Sequence, residues 1–195
     1  MRWMIRAVLV LMALTAFALG HEPSMQPAVT VGPTSTPVSP RADQAALHAD
    51  GSRAAIIIPV AGVTAGQLRP SFNEGRAGHL HHAIDILAPR GTPVFAAVDG
   101  PIQKLFTSNA GGLTIYEFDR AKQFVYYYAH LDRYAPAITE GMEVTQGTVI
   151  GYVGTTGNAP PDTPHLHFAI ERLGPEKLWW RGEAIDPYPV LVGAE

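Results

Sequence analysis

The sequence predicts an all-β domain, a mainly antiparallel barrel-sandwich with little helix, and three observations predict it. Short apolar runs rich in Val, Ile, Phe and Tyr alternate with clusters of Gly, Pro, Asn and Asp, the punctuation of strands and turns. No stretch carries a sustained 3.6-residue apolar stripe; only a short turn is expected, at "EKLWWRG". Consecutive runs lie so close in sequence that they should pair antiparallel through hairpins. With 47% hydrophobic and 16% charged residues in 195, the chain can build one packed core and is too apolar for a disordered polymer.

Taken in order, the chain opens with "MRWMIRAVLVLMALTAFALG": Arg2 and Arg6, an uncharged apolar run over 7–19, then small residues. This is the pattern of a secretory signal peptide, residues 1–20, and its apolar run falls short of the ~20 residues that span a bilayer. Export to the periplasm or cell envelope is therefore expected, with no stable membrane association after cleavage. Residues 21–50 are rich in Pro, Ser, Thr and Ala without apolar period, and read as a linker. The domain proper is expected over 51–195. It starts with "AAIIIPV", a β-branched run stopped by Pro59. "TPVFAAV" ends at Asp99-Gly100; "LTIYEFD" leads through Arg120-Ala121-Lys122 into "QFVYYYAHL"; "TVIGYVG" ends in "TTGNAPPDTP", and "HLHFAIE" follows. "APRGTPVFAAVDG" and "VTQGTVIGYVGTTG" echo one another, each a Gly-Thr, an apolar strand and a glycine turn.

Composition also excludes function classes. A net charge of −3 offers no basic footprint for nucleic acid. With no cysteine there is no disulfide, thiolate metal site or cysteine nucleophile. What remains distinctive is the placement of histidine. Of eight, three crowd into "GHLHHAID", one ends "YYYAH", and two form "PHLHFAI". His165 and His167, two apart on a strand, leave the same face ~7 Å apart, while Leu166 points to the other. By strict alternation Phe124, Tyr126, Tyr128 and His130 share a face, so His130 alone would read as the end of a packed aromatic row. His81 and Asp85 would lie ~13 Å apart if fully extended, so donating to one metal ion requires a bend between them. Spacing alone does not choose among His79, His81 and His82. A His/His/Asp zinc set leaves a fourth position for water, the arrangement of a catalytic site, and further histidines then serve as base and oxyanion donor.

Together "HHAIDILAPRGTPVFAAVDG", "YYYAHL", "EGMEVTQGTVIGYVGTTG" and "PHLHFAI" resemble, in order, the lysostaphin-type (LytM-like) zinc metallopeptidases, which cut peptides of bacterial peptidoglycan. The resemblance covers about residues 59–190. It implies Zn2+ held by His81, Asp85 and His167, with His130 and His165 catalytic, and leaves His79 and His82 as neighbours. It implies a zinc-dependent endopeptidase acting on peptidoglycan cross-links or stem peptides. Members commonly have glycine where this chain has Ala83, which would strain a glycine-only backbone angle. The rival class is a catalytically silent wall-binding module or an activator of a separate amidase, whose mark would be missing ligands; here none is missing. A biotinyl- or lipoyl-type carrier, suggested by "EGMEVTQGTVIG", fails because no lysine lies between Lys122 and Lys177. Trp179 and Trp180 read as packing for the tail, Tyr128 as core, and Asn73 as a loop residue near the metal motif.

Overall fold

In a computed structural model the chain is described over residues 56–76 and 78–193; the expected leader and linker lie outside the described residues. Eleven strands follow in order: β1 (Gly75–Arg76), β2 (His79–Leu80), β3 (Ile84–Leu87), β4 (Pro93–Phe95), β5 (Gly100–Ser108), β6 (Gly112–Phe118), β7 (Phe124–Tyr134), β8 (Glu143–Val144), β9 (Val149–Val153), β10 (His165–Leu173) and β11 (Gly182–Ile185). All described pairings are antiparallel. Nine strands form one sheet with the path β11-β10-β7-β6-β5-β8, joined by β3 on β10 and by β9 on both β4 and β7. Strand alternation sends Leu166, Phe168 and Ile170 of β10 into the core, against Ile84, Ile86, Ile115 and Tyr128, all essentially buried. Each such aliphatic side chain contributes roughly 1.5–3 kcal/mol on burial, so the core anchors the strands that carry the histidines.

The hairpin expectation holds for β5–β6–β7, with a tight connection at Asp119. Its carboxylate accepts the backbone N–H groups of Ala121, Gln123 and Phe124 at 3.2, 2.7 and 2.6 Å. It does not hold for the next pair. β9 and β10 touch only through a Gly154–His165 bridge, and both instead lie along β7, β9 on residues 131–134 and β10 on residues 124–129. The intervening loop carries Pro160, Pro161 and Pro164, which supply no N–H to a ladder, so the chain swings out and returns on a different stretch of the same neighbour. The two echoing segments face each other: β4 pairs with β9, Gly91 N–H donates to the Val153 carbonyl at 2.7 Å, and Gly147 N–H to that of Ala96 at 2.8 Å. Each Gly-Thr thus closes against the end of the other's strand.

Two further corrections concern local structure. "AAIIIPV" forms no regular strand over its described residues; it is tied on by a bridge from Val60 to Val94, by Ile57 N–H donating to the Ala97 carbonyl and by the Pro59 carbonyl accepting the Phe95 N–H. One short helix, α1 (Pro187–Val192), was not expected; Asp186 caps it by accepting the Tyr188 N–H at 2.9 Å, and Pro187 opens it. Its six residues are too few to show a period.

Candidate metal centre

The site is built where β3, β7 and β10 meet. β10 pairs with β3 so that His167 lies opposite Asp85 and His165 opposite Leu87, which places one carboxylate and two imidazoles on one face. His81 reaches the same place because the chain does bend before Asp85. His82 takes a left-handed backbone (φ 54°), and Ala83 follows as a buried bend. The left-handed residue is thus His82, and Ala83 is not among the positive-φ positions, so the strain feared there is absent. His82 itself is exposed with its ring on Phe72, and His79 is exposed on β2, so neither joins the cluster.

Three donor atoms converge. His81 Nε2 lies 3.0 Å from Asp85 Oδ1 and 3.1 Å from His167 Nδ1, and the last two are 3.2 Å apart. A tetrahedral zinc with ligands at ~2.0–2.2 Å has edges of roughly 3.3–3.6 Å, so this triangle needs to open by only a few tenths of an ångström. The donor set also calls for a cation. His81 Nδ1–H donates to the Ser71 carbonyl at 3.1 Å, which leaves Nε2 as a bare lone pair aimed at the carboxylate. Lone pairs facing one another in a half-buried place repel unless a proton or metal ion sits among them. Among the described residues, His81, Asp85 and His167 form the one group able to hold a metal. Burial by itself would raise the Asp85 carboxyl, yet the hydrogen bonds and charge of His167 and His81 hold it well below the usual carboxylate range. Burial pushes His167 down, which favours the neutral form a ligand needs.

The second carboxylate oxygen is occupied as well. Arg76 Nη2 donates to Asp85 Oδ2 at 2.7 Å and reaches Glu74 at 3.3 Å. Only Oδ1 therefore faces the two imidazoles. Ser71, buried behind the site, supplies the carbonyl that orients His81, and its hydroxyl lies 3.4 Å from the Asp85 N–H.

His130 and His165 complete the cluster. Their rings meet edge-on at 4.9 Å, and His130 lies 5.6 Å from the His167 ring. His130 arrives by a correction to the alternation rule. Between the pairs Ile115–Tyr128 and Leu113–Leu131, β7 uses three residues where β6 uses two, and His130 has φ 60°. This bulge turns His130 out of the row of Tyr126 and Tyr128, which stay in the core, and toward the histidines. Its Nδ1–H donates to the Thr156 carbonyl at 2.9 Å, and His165 Nδ1–H to that of Thr163 at 2.8 Å, leaving both Nε2 atoms available. Burial, the largest influence, lowers His130 to about 4, so it is neutral at pH 7.

The Thr156 carbonyl is held by close packing of two loops. A Cβ on Gly157 would lie 2.3 Å from the Ala110 carbonyl oxygen, and one on Gly112 only 2.1 Å from Thr156 Oγ1; both glycines have positive φ. Arg76, Ser71, Thr156 and Thr163 escape a reading of the sequence. Three of them act through backbone carbonyls, which no side chain announces; Arg76 showed only as a charge two residues after Glu74.

Comparison with known proteins bears on the whole arrangement. The L-Ala–D-Glu endopeptidase of Bacillus subtilis is 34% identical over 117 residues, 57% of this chain and 34% of that protein. The peptidoglycan DD-endopeptidase ShyC of Vibrio cholerae is 35% identical over 88 residues, 45% of this chain and 19% of that one. The matched region thus spans a third or less of these relatives' length. The structure of lysostaphin, an antimicrobial peptidase from Staphylococcus simulans, superposes with a TM-score of 0.52 at 29% identity, covering 66% of this chain and 50% of that one. A family model matches residues 79–187, from the strand before His81 to the start of α1. With that match running through all five clustered residues, the chain belongs to peptidase family M23.

Proposed function

We propose that this protein is an exported zinc endopeptidase that hydrolyses an amide bond in the cross-links or stem peptides of peptidoglycan, with Zn2+ held by His81 Nε2, Asp85 Oδ1 and His167 Nδ1. The observation that carries the reading is the convergence of those three atoms at 3.0–3.2 Å, with two more imidazoles beside them. The relatives' names, an L-Ala–D-Glu endopeptidase and a peptidoglycan endopeptidase, support the substrate class. The apolar N-terminal segment with Arg2 and Arg6 supports export.

When bound, zinc would lower the pKa of a water molecule toward ~7 and polarise the scissile carbonyl. The remaining work falls to the side chains. His130, neutral and with Nδ1–H committed to Thr156, accepts the proton of the attacking water at Nε2. Attack forms the new C–O bond and moves the carbonyl electron pair onto oxygen; His130 then delivers that proton to the amine nitrogen, and the C–N bond breaks as the carbonyl re-forms. His165, anchored through Nδ1 at Thr163, holds Nε2 toward the site, where an N–H would stabilise the carbonyl oxygen as negative charge develops. Arg76 keeps Asp85 Oδ2 engaged, so the carboxylate would offer a bound zinc one oxygen, Oδ1.

The test is digestion of isolated murein by the purified protein. New amine termini should appear, vanish with a chelator and return with zinc, and mass spectrometry of the released muropeptides names the bond. Full activity in His167→Ala would overturn the ligand assignment. Loss in His130→Ala with metal content intact is the expected sign of a proton-transfer role.

A further inference from the structure

We infer a second binding surface on this chain, an aromatic shelf built from Phe106, Trp179 and Trp180 that takes pyranose rings of the glycan strand while the metal centre works on the attached peptide. The inference rests on the reading of peptidoglycan as substrate.

The shelf is continuous with the site. Tyr127 meets the His167 ring edge-on at 5.9 Å, Tyr116 lies 4.7 Å from Tyr127, and Trp179 lies 4.6 Å from Tyr116. Trp179 then contacts Phe106 at 5.5 Å and Trp180 at 5.2 Å. The rings thus cross from β10 over β7 and β6 to β5 on the face that carries the histidines. Trp179 is the base of the shelf, half-buried on Phe118, Val125 and Leu173. That satisfies the packing role the sequence suggests for it. Trp180 does no such work: it is 60% exposed, and Phe106 is 40% exposed. Trp180 rests edge-on against Trp179 and leaves most of its apolar surface to solvent, and Phe106, which also contacts Trp179, is exposed too.

The chemistry around the rings selects the occupant. The chain on either side of the tryptophans borders a cavity of about 430 Å³, lined by Arg172, Glu176, Arg181 and Glu183 together with Leu173 and Leu178. That volume is in the range of small-ligand sites. Flat apolar rings next to both signs of charge fit a ligand with a C–H face and a rim of hydroxyl and acetamido groups, which is an N-acetylated sugar. Arg172 and Glu183 lie 3.9 Å apart as an ion pair, and a lipid tail laid across this charged rim would strip it of water. A stem peptide a few residues long spans about 3.3–3.6 Å per residue when extended, so it can bridge from a sugar on the shelf to a bond at the metal.

The experiment titrates the full chain with a soluble N-acetylglucosamine oligomer, read by tryptophan emission and by calorimetry, beside a sugar-free cross-linked stem peptide. The wild type should bind the oligomer; Trp180→Ala and Phe106→Ala should lose roughly tenfold or more in affinity, and Trp180→Phe should retain most of it. Equal affinity in all variants overturns the shelf, as does absence of oligomer binding by the wild type. So does a loss confined to the sugar-free peptide, which would make the shelf a peptide subsite. Cleavage of that peptide by the wild type is scored separately. If it is cleaved and sugar is not bound, the shelf alone fails. If sugar is bound through Trp180 and nothing is cleaved, the hydrolase reading fails and the shelf stands.

Discussion

His130 holds its backbone at φ 60°, a conformation that costs a residue with a Cβ roughly 1–2 kcal/mol and that glycine adopts freely. The bulge maintains it because only that turn brings the imidazole beside His165. His130→Gly should therefore be more stable than His130→Ala by roughly 1 kcal/mol in urea unfolding, with both equally inactive on murein. Equal stability would mean that the turn is unstrained. Arg76 makes the complementary case, a residue acting through a ligand. Removing its hydrogen bond in Arg76→Gln frees Asp85 Oδ2 to swing, and metal affinity should fall about 10- to 100-fold in competition with a chromophoric chelator. Arg76→Lys should recover part of that loss, since one nitrogen, Nη2, serves both Asp85 and Glu74 and an ammonium keeps the charge and the donors but changes their reach and direction.

At the scale of elements, the loops at 110–112 and 156–158 act as one clamp. Ala110 carbonyl accepts the Asn158 N–H at 2.9 Å, Thr156 Oγ1 donates to the Leu131 carbonyl at 2.8 Å, and Gly111 carbonyl accepts the His130 N–H at 2.8 Å. Gly157→Ala drives a Cβ into the Ala110 carbonyl and imposes φ 74° on alanine. It should lower stability by roughly 1–3 kcal/mol and reduce kcat at least tenfold while zinc content stays at one per chain. Unchanged kcat would show that the clamp does not orient His130. These elements also mark what a sequence can disclose. The strands were legible because Gly, Pro and Asp end each apolar run, and the common face of His165 and His167 because strand alternation is local. The face of His130 was not, because one extra residue in β7 reverses the count. Nor was the partner of β10, since the choice between β9 and β7 depends on where a proline-rich loop lets the chain return. The resemblance named His81 over its neighbours; spacing could not, and the left-handed His82 between them is the physical reason.

The whole molecule is tied together at a point remote from the chemistry. Glu117 of β6 is fully buried, accepts the Tyr128 hydroxyl and the Ala97 N–H, and has one oxygen without a partner. Burial, the dominant influence, raises its carboxyl to about 8, whereas the ordinary glutamate value is 4.5. The folded protein therefore holds a proton that the unfolded chain gives up between those two values. Stability is present in full below about pH 4.5 and declines as pH rises toward 8, by a few kcal/mol if this group acts alone. Glu117→Gln keeps a neutral side chain at every pH. It should flatten the dependence of Tm on pH between 5 and 8, leaving the variant relatively more stable at the upper end, as calorimetry at several pH values will show. A parallel pH profile in both proteins would remove Glu117 as the cause. Among the described residues no helix is long and apolar enough to cross a membrane.

His81 and His167 stand 86 positions apart in the chain, and a pairing of β3 with β10 is needed before they can share an ion. A nascent chain that has emerged only as far as the first of them lacks the donor set described above. Closing a loop over that span costs more chain entropy than closing the local hairpins. On the proposed reading, a chain exported unfolded would bring its ligands together only once β3 has paired with β10.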